Sequence, residues 1–194
     1  ADSCLETVKE FKDNACVIVK HNNPCGVAEH QSLLQAYVDA RDCDPISAFG
    51  GIVAFNNKVE SDVANEIVST FIEVLVAPSY SDEAIEILKA KPNLRVLQTP
   101  ELKETTENLM DIKKVVGGIL YQDADTTSDE DFVEYSVPTK RKPSEEEIST
   151  LLLAWKVCKN VKSNAIVLAR DNKTVGIGAG QMNRVNSVQL AQIK

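Results

Sequence analysis

ACVIVKHNNPCGVAEH, residues 15–30, announces the fold in its first six positions. Five apolar residues follow one another without the polar alternation of a half-exposed strand, a pattern that predicts a short strand covered on both faces. After Lys20 the character changes. His21, two asparagines, Pro24 and Gly26 make an irregular corner, and the stretch from about 27 to 40 reads as a helix. A buried strand that leaves through a polar corner into a helix is the repeating unit of an α/β protein.

The same unit recurs along the chain. Apolar runs rich in Val and Ile stand at 50–56, 73–78, 95–99, 113–122, 163–170 and 174–179, with helical patterns at about 59–71, 81–90, 144–161 and from 184 onward. This alternation predicts a layered α/β sandwich with a largely parallel sheet. Ser144 and Glu147 fit a capping box, and Ile148, Leu151, Leu152, Trp155 and Cys158 then recur at helical spacing as a core stripe. Residues 123–147 are polar, acidic and proline-bearing. They read as a surface connection between a first lobe, 1–122, and the start of a second, 148–194. SVQLAQIK at the end opens a helix without a stop signal, so the sequence is expected to be a piece of something longer.

Composition narrows the function. With 29 acidic against 21 basic side chains the net charge is -8, which argues against non-specific attraction to nucleic acid or anionic membranes. No apolar run approaches the ~20 residues of a membrane span, and the first fifteen residues lack the order of a secretion signal. The five cysteines are scattered and never form a C-x-x-C pair, which fits a reducing cytoplasm and points to neither disulfides nor a thiolate metal site.

Four polar corners offer chemistry, each expected beyond the carboxyl end of a strand, where open sheets bind ligands. In KHNNPCG, Lys20 supplies a cation and His21 a base; the bland alternative is a solvated lysine and a turn-capping histidine. In DPISAFGG, residues 44–51, Gly50 and Gly51 permit close approach of a planar ligand, or simply a tight turn. In VKSNAIVLAR, the Asn164 amide can donate to and accept from a carboxamide. In GIGAGQMNRVNS, residues 176–187, three glycines between a strand and a helix could hold an anion through backbone N–H groups, with Arg184 as a planar anchor. The spacing is not G-x-G-x-x-G and no phosphate-loop lysine motif occurs, so a nicotinamide or nucleoside triphosphate site is disfavoured. PCGVAEH shares only half of a zinc deaminase signature, since Cys25 lacks a second cysteine three residues on. A Cys25 nucleophile with His21 or His30 is the remaining covalent option.

Taken in order, KHNNPCGVA, DPISAFGGIVAFN, EVLVAP, KSNAIV and GIGAGQMNRV resemble the AICAR formyltransferase domain of the bifunctional purine biosynthesis enzymes, which join that activity to IMP cyclohydrolase. The resemblance spans essentially all 194 residues. It implies a cytidine deaminase-like three-layer α/β/α sandwich without the deaminase zinc. It also implies formyl transfer from 10-formyltetrahydrofolate, as co-substrate, to the 5-amino group of 5-aminoimidazole-4-carboxamide ribonucleotide (AICAR) in IMP synthesis, with no metal required.

By that resemblance Lys20 and His21 are the catalytic pair, the histidine accepting the amine proton and the lysine stabilising developing charge. Gly50, Asn164 and Arg184 would contact the nucleotide and Val185 the folate. Glu73 stands where some members carry an aspartate, so its carboxylate is kept but its reach altered. The resemblance further implies homodimers with the site near the subunit interface, and a cyclohydrolase domain elsewhere in the same parent chain. The chain would then be a partial domain, expected to be inactive alone. A non-catalytic purine-ribonucleotide-binding module is the alternative.

Overall fold

The computed structural model describes residues 1–100, 110–127 and 135–194. By their contacts they divide into residues 1–102 with 143–194, and residues 103–142. Residues 128–134 of the expected surface connection lie outside the described residues.

The larger unit begins with α1 (Asp2–Val8), then β1 (Ala15–Lys20), β2 (Asn23–Glu29), α2 (Leu33–Cys43), α3 (Pro45–Ala48), β3 (Gly51–Phe55), α4 (Ser61–Ser69), β4 (Ile72–Ala77), α5 (Asp82–Leu88) and β5 (Arg95–Gln98). The smaller unit contributes β6 (Met110–Val115) and β7 (Gly118–Asp123), after which α6 (Glu145–Lys159), β8 (Ile166–Arg170), β9 (Lys173–Gly178) and α7 (Arg184–Gln192) return to the larger. Its seven strands lie in the order β5-β4-β3-β1-β2-β9-β8.

β1 is the middle strand, and its run of apolar side chains is buried on both sides. Cys16 and Ile18 join Tyr37, Val63, Ile67 and Leu88 of α2, α4 and α5; Ala15, Val17 and Val19 join Cys4, Val8, Leu153 and Val157 of α1 and α6. Each fully buried Val or Ile stabilises the fold by roughly 1.5–3 kcal/mol. Helices thus cover both faces, and the chain forms the expected three-layer α/β/α sandwich. Among the described residues no helix is long and apolar enough to cross a membrane.

The sheet is not largely parallel. Only β3–β4 and β4–β5 run parallel; β1–β2, β1–β3, β2–β9 and β8–β9 are antiparallel. The cause is local. His21 (φ 51°) and Asn22 (φ 63°) are both left-handed, and so are Asp171 (φ 53°) and Asn172 (φ 54°). Two such residues in succession make the tight turn that matches strand twist in a hairpin. The chain therefore turns straight back after Lys20, and residues 23–29, expected to lead into a helix, form β2 instead. Pro24 is tolerated there because it sits opposite Val19, where the β1 register shifts. The helix starts later, at Ser32, whose hydroxyl accepts from the Gln35 N–H at 3.4 Å.

Two other expectations change, and the first residues add a helix. The run 113–122 is a hairpin, not one strand, because Val116 and Gly117 (φ 83°) turn the chain. The acidic N-terminal stretch folds as α1 and closes the second face of the sheet. Residues 148–194, expected to open a second lobe, deliver β8 and β9 into the same sheet as β1, since β9 pairs with β2 and its Thr174 hydroxyl accepts from the Val27 N–H at 2.9 Å. In α6 the capping box is present, Ser144 N–H to Glu147 Oε2 at 2.8 Å and Glu147 N–H to Ser144 Oγ at 3.2 Å. Its buried face carries Leu153 and Val157, while Leu151 and Trp155 of the expected stripe are exposed.

Candidate functional site

Strand directions place the four polar corners at one end of the sheet. β1 and β9 exit there, while β2, β3, β4, β5 and β8 enter, as the pairings require. The corners are therefore not all at carboxyl ends: Gly50, Glu73 and Asn164 stand at the starts of their strands, because antiparallel neighbours reverse the sense.

Two corners touch directly. Lys20 Nζ donates to the carbonyls of Phe49 (2.9 Å) and Gly50 (2.7 Å), which leaves one N–H of the ammonium for another acceptor. Gly50 has φ +65° and donates its N–H to the Phe71 carbonyl at 2.8 Å. A Cβ there would lie 3.0 Å from Lys20 Nζ and 3.2 Å from the Phe71 ring, so both the backbone and the space call for glycine. Phe49 and Phe71 are 64% and 47% exposed, with ring centroids 5.0 Å apart. Aromatic faces beside an ammonium form a platform on which a planar, polar-edged ring can stack. Sequence reasoning missed this pair; its one signal is that both aromatics flank the points where Gly50 is held. His21 is exposed in its turn, and its imidazole makes no hydrogen bond or ion pair among the described residues.

Asp44 fixes this corner from below. It is 6% exposed, caps α3 by accepting from the Ser47 N–H at 3.0 Å, and pairs with Lys194 Nζ at 2.6 Å. The four-residue α3 it starts ends at Phe49, so the cap sets the direction of the two carbonyls that hold Lys20. Burial alone would raise the Asp44 carboxyl, but the bonds from Lys194 and Ser47 outweigh it and hold the group below its ordinary range. A depressed carboxyl contributes stability above its unfolded value, near ~3.9, and that contribution is lost as pH falls through the folded value. Asp44→Asn, which keeps a capping side chain, is expected to lower the unfolding free energy by about 1–3 kcal/mol at neutral pH. Urea unfolding of both proteins at neutral pH and near pH 3 checks this: the gap should shrink on acidification, and a pH-independent gap would show that the charge does not matter.

The other two corners are stitched together. Asn23 Oδ1 accepts from the Lys162 N–H at 3.1 Å, which ties the β1–β2 turn to the loop before β8. Gly180 N–H donates to the Lys162 carbonyl (2.8 Å), and Asn164 donates to the Gln181 carbonyl through both its N–H (3.1 Å) and Nδ2 (2.9 Å). The Asn164 carbonyl accepts from Ser187 Oγ at 2.8 Å. The side-chain donor of Asn164 is thus engaged in joining loops, and its Oδ1 is the part suited to reading a ligand.

Arg184 is the first residue of α7, with Asn183 capping it by accepting from the Asn186 N–H at 2.8 Å; Arg184 and Val185 are both exposed. Gly176 and Gly178 have a packing role. A Cβ at either would lie 1.9 Å from the carbonyl oxygen of Ala191 or Ser187, so these glycines let α7 lie directly on β9. Glu73, on β4, places Oε2 3.8 Å from an Arg95 nitrogen on β5, an exposed and weak pair.

The covalent alternative is overturned. Cys25 lies in β2, its thiol 3.5 Å from the Ile18 carbonyl, and burial, with Asp44 and Cys43 adding to it, pushes it up to about 12. At neutral pH it stays a thiol and is a poor nucleophile. His30 follows the far end of β2, where its Nδ1 accepts from the Ser32 N–H at 3.0 Å. Among the described residues no three His, Cys, Asp or Glu side chains gather closely enough to hold a metal ion.

A mixed α/β sandwich with an ammonium, an imidazole and an aromatic platform on one rim has the makings of a site for a planar polar molecule. The pattern of the AICARFT/IMPCHase bienzyme family matches residues 1–194, and the chain belongs to that family. It is 51% identical over 192 residues to the bifunctional purine biosynthesis protein PurH of Bacillus mycoides strain KBAB4, covering 98% of this chain and 37% of that protein. To the protein of the same name from Sorangium cellulosum strain So ce56 it is 50% identical over 190 residues, covering 98% and 36%. The chain therefore spans little more than a third of the length of these curated relatives. Among solved structures, a dCMP deaminase from cyanophage S-TIM5 aligns with TM-score 0.42 and 11% identity over 50% of this chain and 95% of its own. RibD of Acinetobacter baumannii aligns with TM-score 0.35 and 18% identity over 52% and 32%.

Proposed function

We propose that this chain is part of the transferase domain of a bifunctional purine-synthesis enzyme and carries one wall of a site that moves a formyl group from 10-formyltetrahydrofolate to AICAR. The observation that carries the reading is the Lys20 ammonium held by the Phe49 and Gly50 carbonyls, next in sequence to an exposed His21. The amine nitrogen of AICAR attacks the formyl carbon, His21 takes the proton that the nitrogen sheds, and the carbon–nitrogen bond to the folate breaks with the folate nitrogen reprotonated. Lys20 stabilises the oxyanion formed on the way, through the donor its two carbonyl bonds leave over. Phe49 and Phe71 stack a ring of substrate or folate, Gly50 and the Asn164 Oδ1 read the nucleotide, Arg184 binds an anionic or carbonyl group, and Val185 packs on the folate. Glu73, already paired with Arg95, contributes a contact only by releasing it.

The relatives' names join two activities in one chain, and an IMP cyclohydrolase domain elsewhere in the parent follows from the same reading, as do a cytoplasmic location and a homodimer. With 37% of the relatives' length present, the site is expected to be incomplete. Formyl transfer should be undetectable for the 194-residue chain and present for a full-length protein containing it. Turnover by the short chain at the full-length rate would overturn the partial-site reading; no formyl transfer by the full-length protein would overturn the proposed reaction.

A further inference from the structure

The corner KHNNPCG holds two adjacent asparagines, and the backbone accounts for only the first. Asn22, like His21, is left-handed (φ 63°), a conformation that asparagine tolerates better than most residues. Asn23 is already the first residue of β2, where asparagine is a poor strand former, so the reason for it lies in its side chain.

That side chain works in two directions. Nδ2 donates to the His21 carbonyl at 3.4 Å, and Oδ1 accepts from the Lys162 N–H at 3.1 Å, a group 139 residues further along the chain. Asn23 is also the cross-strand partner of Lys20, so the two side chains leave the same face of the hairpin. From Lys162 the bonds continue. Its carbonyl accepts from the Gly180 N–H, Asn164 donates twice to the Gln181 carbonyl, and the Asn164 carbonyl accepts from Ser187 Oγ in α7, the helix that opens with Arg184. One amide side chain therefore connects the turn that carries the base with the loops that carry Asn164 and Arg184.

Such a connection matters to proton transfer more than to binding. A base acts only within hydrogen-bond reach of the proton it takes, about 2.6–3.2 Å, and a misplacement of about 1 Å can cost about 10²-fold in rate. The His21 imidazole makes no hydrogen bond or ion pair of its own among the described residues, so its place is set by the backbone of its turn. Asn23 holds that backbone against the loop on which a nucleotide would sit.

We propose that Asn23 is a positioning residue for the transfer: by joining the His21 carbonyl to the Lys162 N–H, it sets the distance from the imidazole to the amine of a nucleotide seated on Asn164 and Arg184. This rests on the transferase reading. It is tested in the full-length protein by formyl transfer at saturating substrate, at a pH about two units above the ordinary histidine value of ~6.5, where the imidazole is neutral in every variant. Asn23→Ala and the strand-favouring Asn23→Val should each lower kcat by about 10–10²-fold, while AICAR affinity changes only a few-fold. Asn23→Asp keeps an oxygen for the Lys162 N–H and should recover most of the loss. In a His21→Ala background, Asn23→Val should change the rate by no more than about twofold, because a residue that acts through the imidazole has no effect without it. Urea midpoints control for folding. With His21→Ala slow, any of three results would overturn the proposal alone: Asn23→Val as fast as wild type, Asn23→Asp as slow as Asn23→Val, or a loss that repeats in full without His21. A His21→Ala protein as fast as wild type would overturn the transferase reading, and the proposal with it.

Discussion

In a full-length bienzyme carrying this domain, His21→Ala lowers formyl transfer at saturating substrate by about 10²–10⁴-fold, the usual contribution of a positioned general base. AICAR affinity should change only a few-fold. His21 is set by a left-handed two-residue turn, one residue beyond the anchored Lys20, and its imidazole has no partner among the described residues to compete for its lone pair. The acceptor amine of AICAR is conjugated to an aromatic, carboxamide-bearing ring and is a weak nucleophile, so removing its proton as the bond forms is where an added base has most effect. Steady-state kinetics with calorimetric titration of AICAR separates the readings. If binding collapses and the rate of bound substrate does not, the corner is a binding module and the imidazole is a ligand contact.

How much of this was legible follows from what each residue type can disclose. β1, β3 and β4 were readable because strands covered on two faces carry nearly continuous apolar runs, and α6 because a Ser–Glu capping box is a local hydrogen-bond pattern. β2 was not, since NPCGVAE contains a proline and a glycine. It is a strand only because Pro24 falls at the β1 irregularity, and register is a property of two segments at once. The direction of the sheet hid in His21, Asn22, Asp171 and Asn172, four ordinary polar residues whose left-handed backbones make hairpins where crossovers were expected.

The candidate site shows the same division. Lys20, His21, Gly50, Asn164 and Arg184 were found because polar and conformationally special residues stand out against a Val/Ile background. Phe49 and Phe71 were missed because an aromatic in an apolar stretch reads as core, and exposure is decided only by how the chain folds around it. The glycines of GIGAG were over-read for the converse reason. A missing side chain can serve a ligand or a neighbouring helix, and Ala191 and Ser187 of α7 decide for the helix at Gly176 and Gly178.

Lys20 holds a corner in shape and also presents a charge to it, and two substitutions in the full-length protein separate these tasks. Lys20→Met keeps the apolar stem and deletes the donors to Phe49 and Gly50. Those carbonyls stand near the surface, so water can replace the ammonium and the stability loss should be about 1 kcal/mol. Formyl transfer should fall far more, by about 10²–10³-fold, as expected when a donor aimed at a developing oxyanion is removed. Lys20→Arg restores the charge but not the shape. Lys20 Nζ is held as a point donor between two consecutive carbonyls, at 2.9 and 2.7 Å, and a planar, longer guanidinium cannot repeat that geometry and must shift away from it. Arginine should therefore recover the stability and little of the rate. Rapid-quench measurement of a single turnover, read beside urea midpoints, distinguishes the outcomes. Full activity with arginine would mean that the site needs only a positive potential there, and the anchoring by two consecutive carbonyls would then have no part in the reaction.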